Sequence, residues 1–202
     1  SLCTGETVNL DANATGSNLT YLWTPGDETG SNIDVDTGGV YKVTVTNSLT
    51  DCKDSADVTI TEFQTPEDVA IDSSDLSICR GESIILTANA TGLSVTESYT
   101  YTWYLNSVLG DIVNTSSTDN TFTTDTQGDY IVVVSNDASA GICADTSLPV
   151  SLDVHAPPTI DLNPSSSSLC TGETVNLDAN STGSNLTYLW TPGDGTSSNI
   201  DV

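Results

Sequence analysis

The chain has 202 residues, and 28 Asp and Glu stand against 3 Lys and Arg, for a formal charge of -25. Such a polyanion is repelled by phosphate backbones, anionic glycans and acidic lipid surfaces, which argues against nucleic-acid binding. No apolar run reaches the roughly 18 residues of a membrane helix, so no membrane insertion is expected; the apolar residues, 36% of the chain, alternate in register, unlike a disordered acidic tail.

The first elements follow Cys3-Thr-Gly-Glu6. Val8, Leu10 and Ala12 alternate with Asn9 and Asp11, and Tyr21 with Trp23, Ile33 with Val35, and Tyr41 with Val43 and Val45 continue the period of two. Ala56, Val58 and Ile60 close the module. This is the pattern of half-buried antiparallel strand. Val69 and Ile71 then supply an opening strand for a second module, which runs through Ile84/Leu86/Ala88, Tyr101/Trp103, Phe122, Tyr130/Val132/Val134 and Leu148/Val150/Leu152. Ile160/Leu162 open a third.

Cys-x-Gly-Glu recurs at Cys79 and Cys170, with gaps of 76 and 91 residues. From Ser168 the sequence repeats Ser1–Val35 at 32 of 35 positions; the changes are Ala14/Ser181, Glu28/Gly195 and Gly30/Ser197. The order is A-B-A. We expect a type A module over residues 1–64 lacking its first strand, a type B module over 65–156, and a truncated second type A module over 157–202. The chain reads as a window on a longer array.

Short strands with a Trp on the third predict an all-β fold of tandem immunoglobulin-like, PKD-like β-sandwiches in an elongated array. Gly39-Val-Tyr41 and Gly128-Asp-Tyr130 have the form of a tyrosine corner, each preceded by an Asp (Asp36, Asp125). Trp23, Trp103, Trp190, Tyr41 and Tyr130 are the predicted core aromatics. Val43 and Val132 stand where such folds often carry a core cysteine. No helix is required.

Together, Cys-x-Gly-Glu-x-Val-x-Leu, Tyr-x-Trp, "WTPGDGT" at Trp190–Thr196 and Gly-x-Tyr-x-Val-x-Val resemble the PKD and Ig-like repeats of very large secreted surface proteins of Bacteroidota, including the mobile adhesins of gliding species. The resemblance covers the whole chain. "WYLNSVLGD" after Trp103 departs from the PKD pattern. The resemblance implies an extracellular, cell-surface repeat region. Its partners would be neighbouring repeat modules, with a surface or glycan ligand engaged elsewhere.

Catalysis is not expected. The one histidine, His155, lies in "DVHAPP" and reads as a linker residue; there is no Gly-x-Ser-x-Gly. No cofactor is implied, although calcium is possible through Asp27, Glu28, Asp34, Asp36, Glu62, Glu67 and Asp68, since hard cations take converging oxygens. Against this, Asp34 and Asp36 are also the outward positions of an alternating strand. Asp54-Ser55-Ala56 resembles a Bacteroidota O-glycosylation signal, which makes Ser55 a candidate. Isopeptide staples are excluded, because the second module has no Lys.

Five cysteines without CxxC spacing suggest disulfides and an oxidising compartment. Cys3 precedes the second strand of a sandwich, and Cys52 lies beyond the far tip of the sixth. About seven strand residues at roughly 3.3 Å each put some 20–25 Å between them. A disulfide needs Cα atoms within about 7 Å. Cys3 is therefore expected to meet Cys143 across the first joint, with Cys52, Cys79 and Cys170 pairing outside this stretch. The alternatives are intramodule bonds, Cys3–Cys52 and Cys79–Cys143, or free thiols. The functional expectation is a non-catalytic stalk of a large surface adhesin that bears load. The alternatives are a spacer in a secreted multidomain hydrolase, or a glycan-binding module.

Overall fold

A computed structural model describes residues 1–116, 118–139 and 143–202. The first sandwich contains β1 (Leu2–Cys3), β2 (Val8–Asp11), β3 (Leu19–Thr24), β4 (Asn32–Val35), β5 (Gly39–Asn47), β6 (Lys53–Ile60) and β7 (Glu62–Phe63). Strand β2 pairs with β4, and β3–β5–β6 form the facing sheet. The alternation of the sequence drives this. Trp23, Ile33, Val35, Tyr41, Val43 and Ile60 turn inward with Leu2 and form one buried cluster.

The second sandwich contains β8 (Glu67–Ser73), β9 (Ser77–Cys79), β10 (Ile84–Thr91), β11 (Tyr99–Leu105), β12 (Asp111–Ser116), β13 (Thr121–Thr124), β14 (Gly128–Asn136), β15 (Ala144–Thr146) and β16 (Val150–His155). One sheet runs β13–β10–β8 and the other β12–β11–β14–β16–β9, with β15 also on β14. Leu86, Trp103, Tyr130, Val132, Val134 and Leu152 are at most 1% exposed. The Phe122 ring lies 5.8 Å from Trp103 and 6.0 Å from Tyr130 between centroids. The fold is all-β and immunoglobulin-like. The one helical segment among the described residues is a 3-10 turn at Asp137–Ser139.

The tyrosine corners are present. The Tyr41 hydroxyl donates to the Thr37 carbonyl at 2.9 Å, and Tyr130 to Thr126 at 2.6 Å. The acceptors are these carbonyls rather than Asp36 or Asp125. Both phenols sit at the mouth of the core, where the ring is buried and the hydroxyl must find a partner.

Several expectations need correction. The stretch before Cys-x-Gly-Glu is itself a strand. Strand β1 pairs parallel with β7, and β9 pairs parallel with β16. His155 is no linker residue, because it ends β16 opposite Cys79. Strand β12 was not anticipated, since Ile112 faces solvent and breaks the inward pattern. Ala56 and Val58 of β6 and Leu148 are exposed. Residues after 156 contribute only β17 (Asn163–Pro164), β18 (Asn176–Asp178) and β19 (Asn199–Asp201), and Ile160 and Leu162 lie exposed before β17.

Trp190 is half-buried instead of core. Strands β5 and β6, which cover Trp23, have no counterpart within residues 163–202. Its indole still donates to Ser197 O at 2.8 Å, as Trp23 does to Gly30 O at 2.9 Å. The buried Trp103 indole N–H finds no partner among the described residues. The turn after Trp103 lacks the Pro-Gly-Asp of the other two copies, and with it that acceptor.

Trp103→Ala would open a cavity at the centre of the second sandwich and should cost roughly 3–5 kcal/mol. Urea denaturation followed by tyrosine fluorescence measures it, and a loss below about 1 kcal/mol would mean that the ring carries little of the packing.

Candidate functional site

Each Cys-x-Gly-Glu segment folds into the same tight turn. The Cys3 amide donates to Glu6 Oε2 at 3.0 Å, and the Glu6 amide returns to Cys3 O at 2.9 Å. The same carboxylate-to-amide bond measures 3.0 Å at Cys79–Glu82 and at Cys170–Glu173. The glycine takes φ of +84°, +97° and +89° in the three turns, a region that a Cβ would strain. The short parallel strand before the turn ties it to the end of the module. Leu2 N bonds Thr61 O and Thr4 N bonds Phe63 O, each at 2.9 Å. The turn therefore presents a cysteine at one fixed pole of the sandwich.

The opposite pole of the next sandwich carries Cys143. Its amide donates to Ser139 Oγ at 3.0 Å, Ser139 Oγ donates to Asn136 O at 2.7 Å, and Asn136 N bonds Cys143 O at 2.9 Å. Cys3 and Cys143 are joined by a disulfide with Cα atoms 5.5 Å apart, across 140 residues of sequence. Both half-cystines are buried. Cys52, Cys79 and Cys170 are free and exposed.

A polar network stitches the joint beside this bond. The fully buried Asn136 donates from Nδ2 to Gln64 O at 3.2 Å and to Glu97 Oε2 at 2.8 Å. Gln64 N reaches the same carboxylate oxygen at 3.3 Å, and the Tyr99 hydroxyl donates to it at 3.0 Å. Ser94 N donates to the Tyr99 oxygen at 3.0 Å. Pro66 is wholly buried. One carboxylate oxygen thus gathers three donors, from the end of β14, the start of β11 and the linker. Burial, with the adjoining Glu97 charge, pushes the Tyr99 phenol above its usual value, so it stays a neutral donor. Sequence reading missed Gln64, Glu97, Tyr99 and Asn136. The usable signal was the Asn that ends both Val-rich strands, Asn47 and Asn136, a few residues before a cysteine.

The other named residues are scattered. Asp34 accepts from Asn9 Nδ2 at 2.8 Å, Glu62 from Gly38 N at 2.9 Å, and Asp68 from Thr91 Oγ1 at 3.2 Å. Asp27, Glu28, Asp36 and Glu67 are exposed. Among the described residues, no three acidic, His or Cys side chains gather into a cation cradle. Ser55 is exposed on β6 opposite Thr44.

No protein-family model matches the sequence, and a search of the curated proteins finds no match. Solved structures share the fold. The N-terminal eight Ig domains of Down Syndrome Cell Adhesion Molecule superpose with TM-score 0.61 at 11% identity, over 93% of this chain and 27% of that one. A chain from the structure of a mouse coronavirus receptor-binding domain complexed with its murine receptor gives TM-score 0.51 at 15% identity, over 76% of this chain and 94% of that one. Murine CEACAM1b gives 0.50 at 16%, over 76% and 95%. At such identities the likeness shows the immunoglobulin-like fold.

Asn136→Ala should destabilise the chain by about 1–3 kcal/mol, because it leaves the Gln64 carbonyl without its donor and takes the shortest of three donors from the Glu97 carboxylate. Guanidinium unfolding with the disulfide intact reads this loss. Alkali should also weaken the joint. The Tyr99 pKa is raised on folding, so the unfolded chain gives up that proton first and stability falls as pH rises past the usual tyrosine value. Unfolding midpoints compared between the wild type and Tyr99→Phe above neutral pH check the sign: the wild type should lose more.

Proposed function

We propose that this chain is a non-catalytic, load-bearing stretch of a surface stalk, built of tandem immunoglobulin-like modules and working in an oxidising, extracellular setting. The observation that carries this reading is the Cys3–Cys143 bond between consecutive sandwiches. Force applied at Ser1 would reach Cys3, cross to Cys143, and leave along β15 and β16. Residues 4–142 would lie off the load path, so the first sandwich and most of the second would be shielded. A free linker such as Phe63–Pro66 would otherwise be the most extensible element. The repetition of Ser1–Val35 from Ser168 supports an array, and the resemblance to Bacteroidota PKD-type adhesin repeats supports a cell-surface setting. The acidic surface would keep neighbouring stalks apart. The reading needs no cofactor, with calcium an optional surface ligand. Burial of Trp23 and Trp103 counts against a glycan platform built on those rings.

Single-molecule pulling between the two termini tests the load path. The oxidised chain should release only the length outside the loop. Reduction should add about 480 Å, from the 140-residue separation at about 3.4 Å per extended residue. An oxidised chain that lengthens by the full amount would refute the shielded path.

A further inference from the structure

Cys3 and Cys143 are also connected by a path that contains no sulfur. Strand β1 lays Cys3 opposite Phe63 of β7, and Thr4 N and Oγ1 both donate to Phe63 O, at 2.9 and 3.1 Å. The next residue, Gln64, is held by the second sandwich on both sides of its Cα. Its amide donates to Glu97 Oε2 at 3.3 Å, and its carbonyl accepts from Asn136 Nδ2 at 3.2 Å. Asn136 N then donates to Cys143 O at 2.9 Å. From one half-cystine to the other, the path crosses Phe63, Gln64 and Asn136.

The linker is seated beyond Gln64 as well. Gly92 takes φ +70°, and a Cβ there would lie 2.8 Å from Thr65 O, so the backbones meet where there is no side chain to part them. Pro66 is wholly buried, and its ring fixes its own φ. Consecutive linker residues are thus pinned by contacts that do not involve the disulfide. Glu97 is the hub. Its Oε2 accepts from Gln64 N, from Asn136 Nδ2 and from the Tyr99 hydroxyl, and so ties the linker to the strand that leads to Cys143.

A freely jointed linker would leave the two thiols to meet at an effective concentration on the order of millimolar. A linker pinned in this way holds them at bonding distance before any bond forms. We propose that the joint between the two sandwiches closes without the disulfide, and that Glu97 is the positioning residue that presents Cys143 to Cys3 for oxidation. The disulfide is then a latch on a joint already formed. Latching is thiol–disulfide exchange. Cys3 Sγ bonds Cys143 Sγ, two electrons and two thiol protons pass to oxidised glutathione, and its S–S bond breaks to give two glutathione thiols. In the product Cys3 is 5% and Cys143 1% exposed, so a thiol that attacks the bond must first open the joint. The inference concerns the reduced joint and is independent of the load-bearing reading.

A parent chain with Cys52→Ser, Cys79→Ser and Cys170→Ser, all exposed positions, keeps the one pair and is equilibrated in glutathione buffers of graded oxidation. Alkylation of the remaining thiols and mass spectrometry give the oxidised fraction, and from it the effective concentration of the pair. Near-UV circular dichroism checks that both sandwiches stay folded when reduced. The parent should exceed the millimolar value of a free linker by at least about a hundredfold. Glu97→Ala should lower it by at least about tenfold, and Glu97→Gln, which keeps an acceptor oxygen, should recover part of that loss. Amide exchange in the reduced parent, read by NMR, decides the question without any change at the joint: the Gln64 amide should stay protected. A millimolar effective concentration in the parent, an unchanged value in Glu97→Ala, no recovery in Glu97→Gln, or a Gln64 amide that exchanges like an unfolded peptide would each overturn the proposal. Pulling on the oxidised chain reads the bond alone, so the two readings fail separately.

Discussion

The structure depends on a constraint of direction. Strands β2 and β5 run the same way, because each is linked through one antiparallel partner and one turn at a common end. A cysteine before β2 and a cysteine after β5 therefore occupy opposite poles of one sandwich, some 20–25 Å apart by strand rise. Neither can bond the other. Each is left to the neighbour that meets its pole, and a tandem chain supplies that neighbour at the joint. The Cys3–Cys143 bond is the result, and in the chain-entropy model closing so long a loop stabilises the fold by about 5 kcal/mol.

The bond would be of little use on a soft platform. At one side the Cys-x-Gly-Glu turn fixes Cys3 through a carboxylate-to-amide bond and a glycine in the left-handed region. At the other, Asn136 uses its backbone and its side chain at once, holding the Cys143 loop, the Gln64 linker carbonyl and the Glu97 carboxylate. Behind both stand ordinary sandwich cores, with the tyrosine corners pinning the start of β5 and β14. Rigidity at the joint is thus inherited from the cores, and the disulfide converts it into a fixed relation between modules.

The two unlike joints differ in chemistry. Glu97 and Tyr99 belong to the second sandwich, and the residues at the same strand positions in the first, Ser17 and Leu19, cannot build that network. A joint made on the first sandwich has the cysteine geometry without the buried carboxylate.

The sequence by itself determined the all-β class, the inward aromatics of the first two sandwiches and the tyrosine corners, and it set the expectation that Cys3 reaches Cys143, with the pairing itself decided by the structure. These follow from a period of two and from strand direction, both of which are local or topological and need no side-chain contacts. Tertiary structure alone decided the rest. The parallel strands β1 and β9 are two and three residues long, too short to leave a periodic trace. Ala56 and Val58 read as core by alternation and do share a face with Val43 and Tyr41 across the β5–β6 ladder, yet they stay exposed at the edge of the sheet. Trp23 is buried where it pairs with Val43 of β5: a side chain's pattern fixes which face it occupies, and only the neighbouring strand decides whether that face is covered.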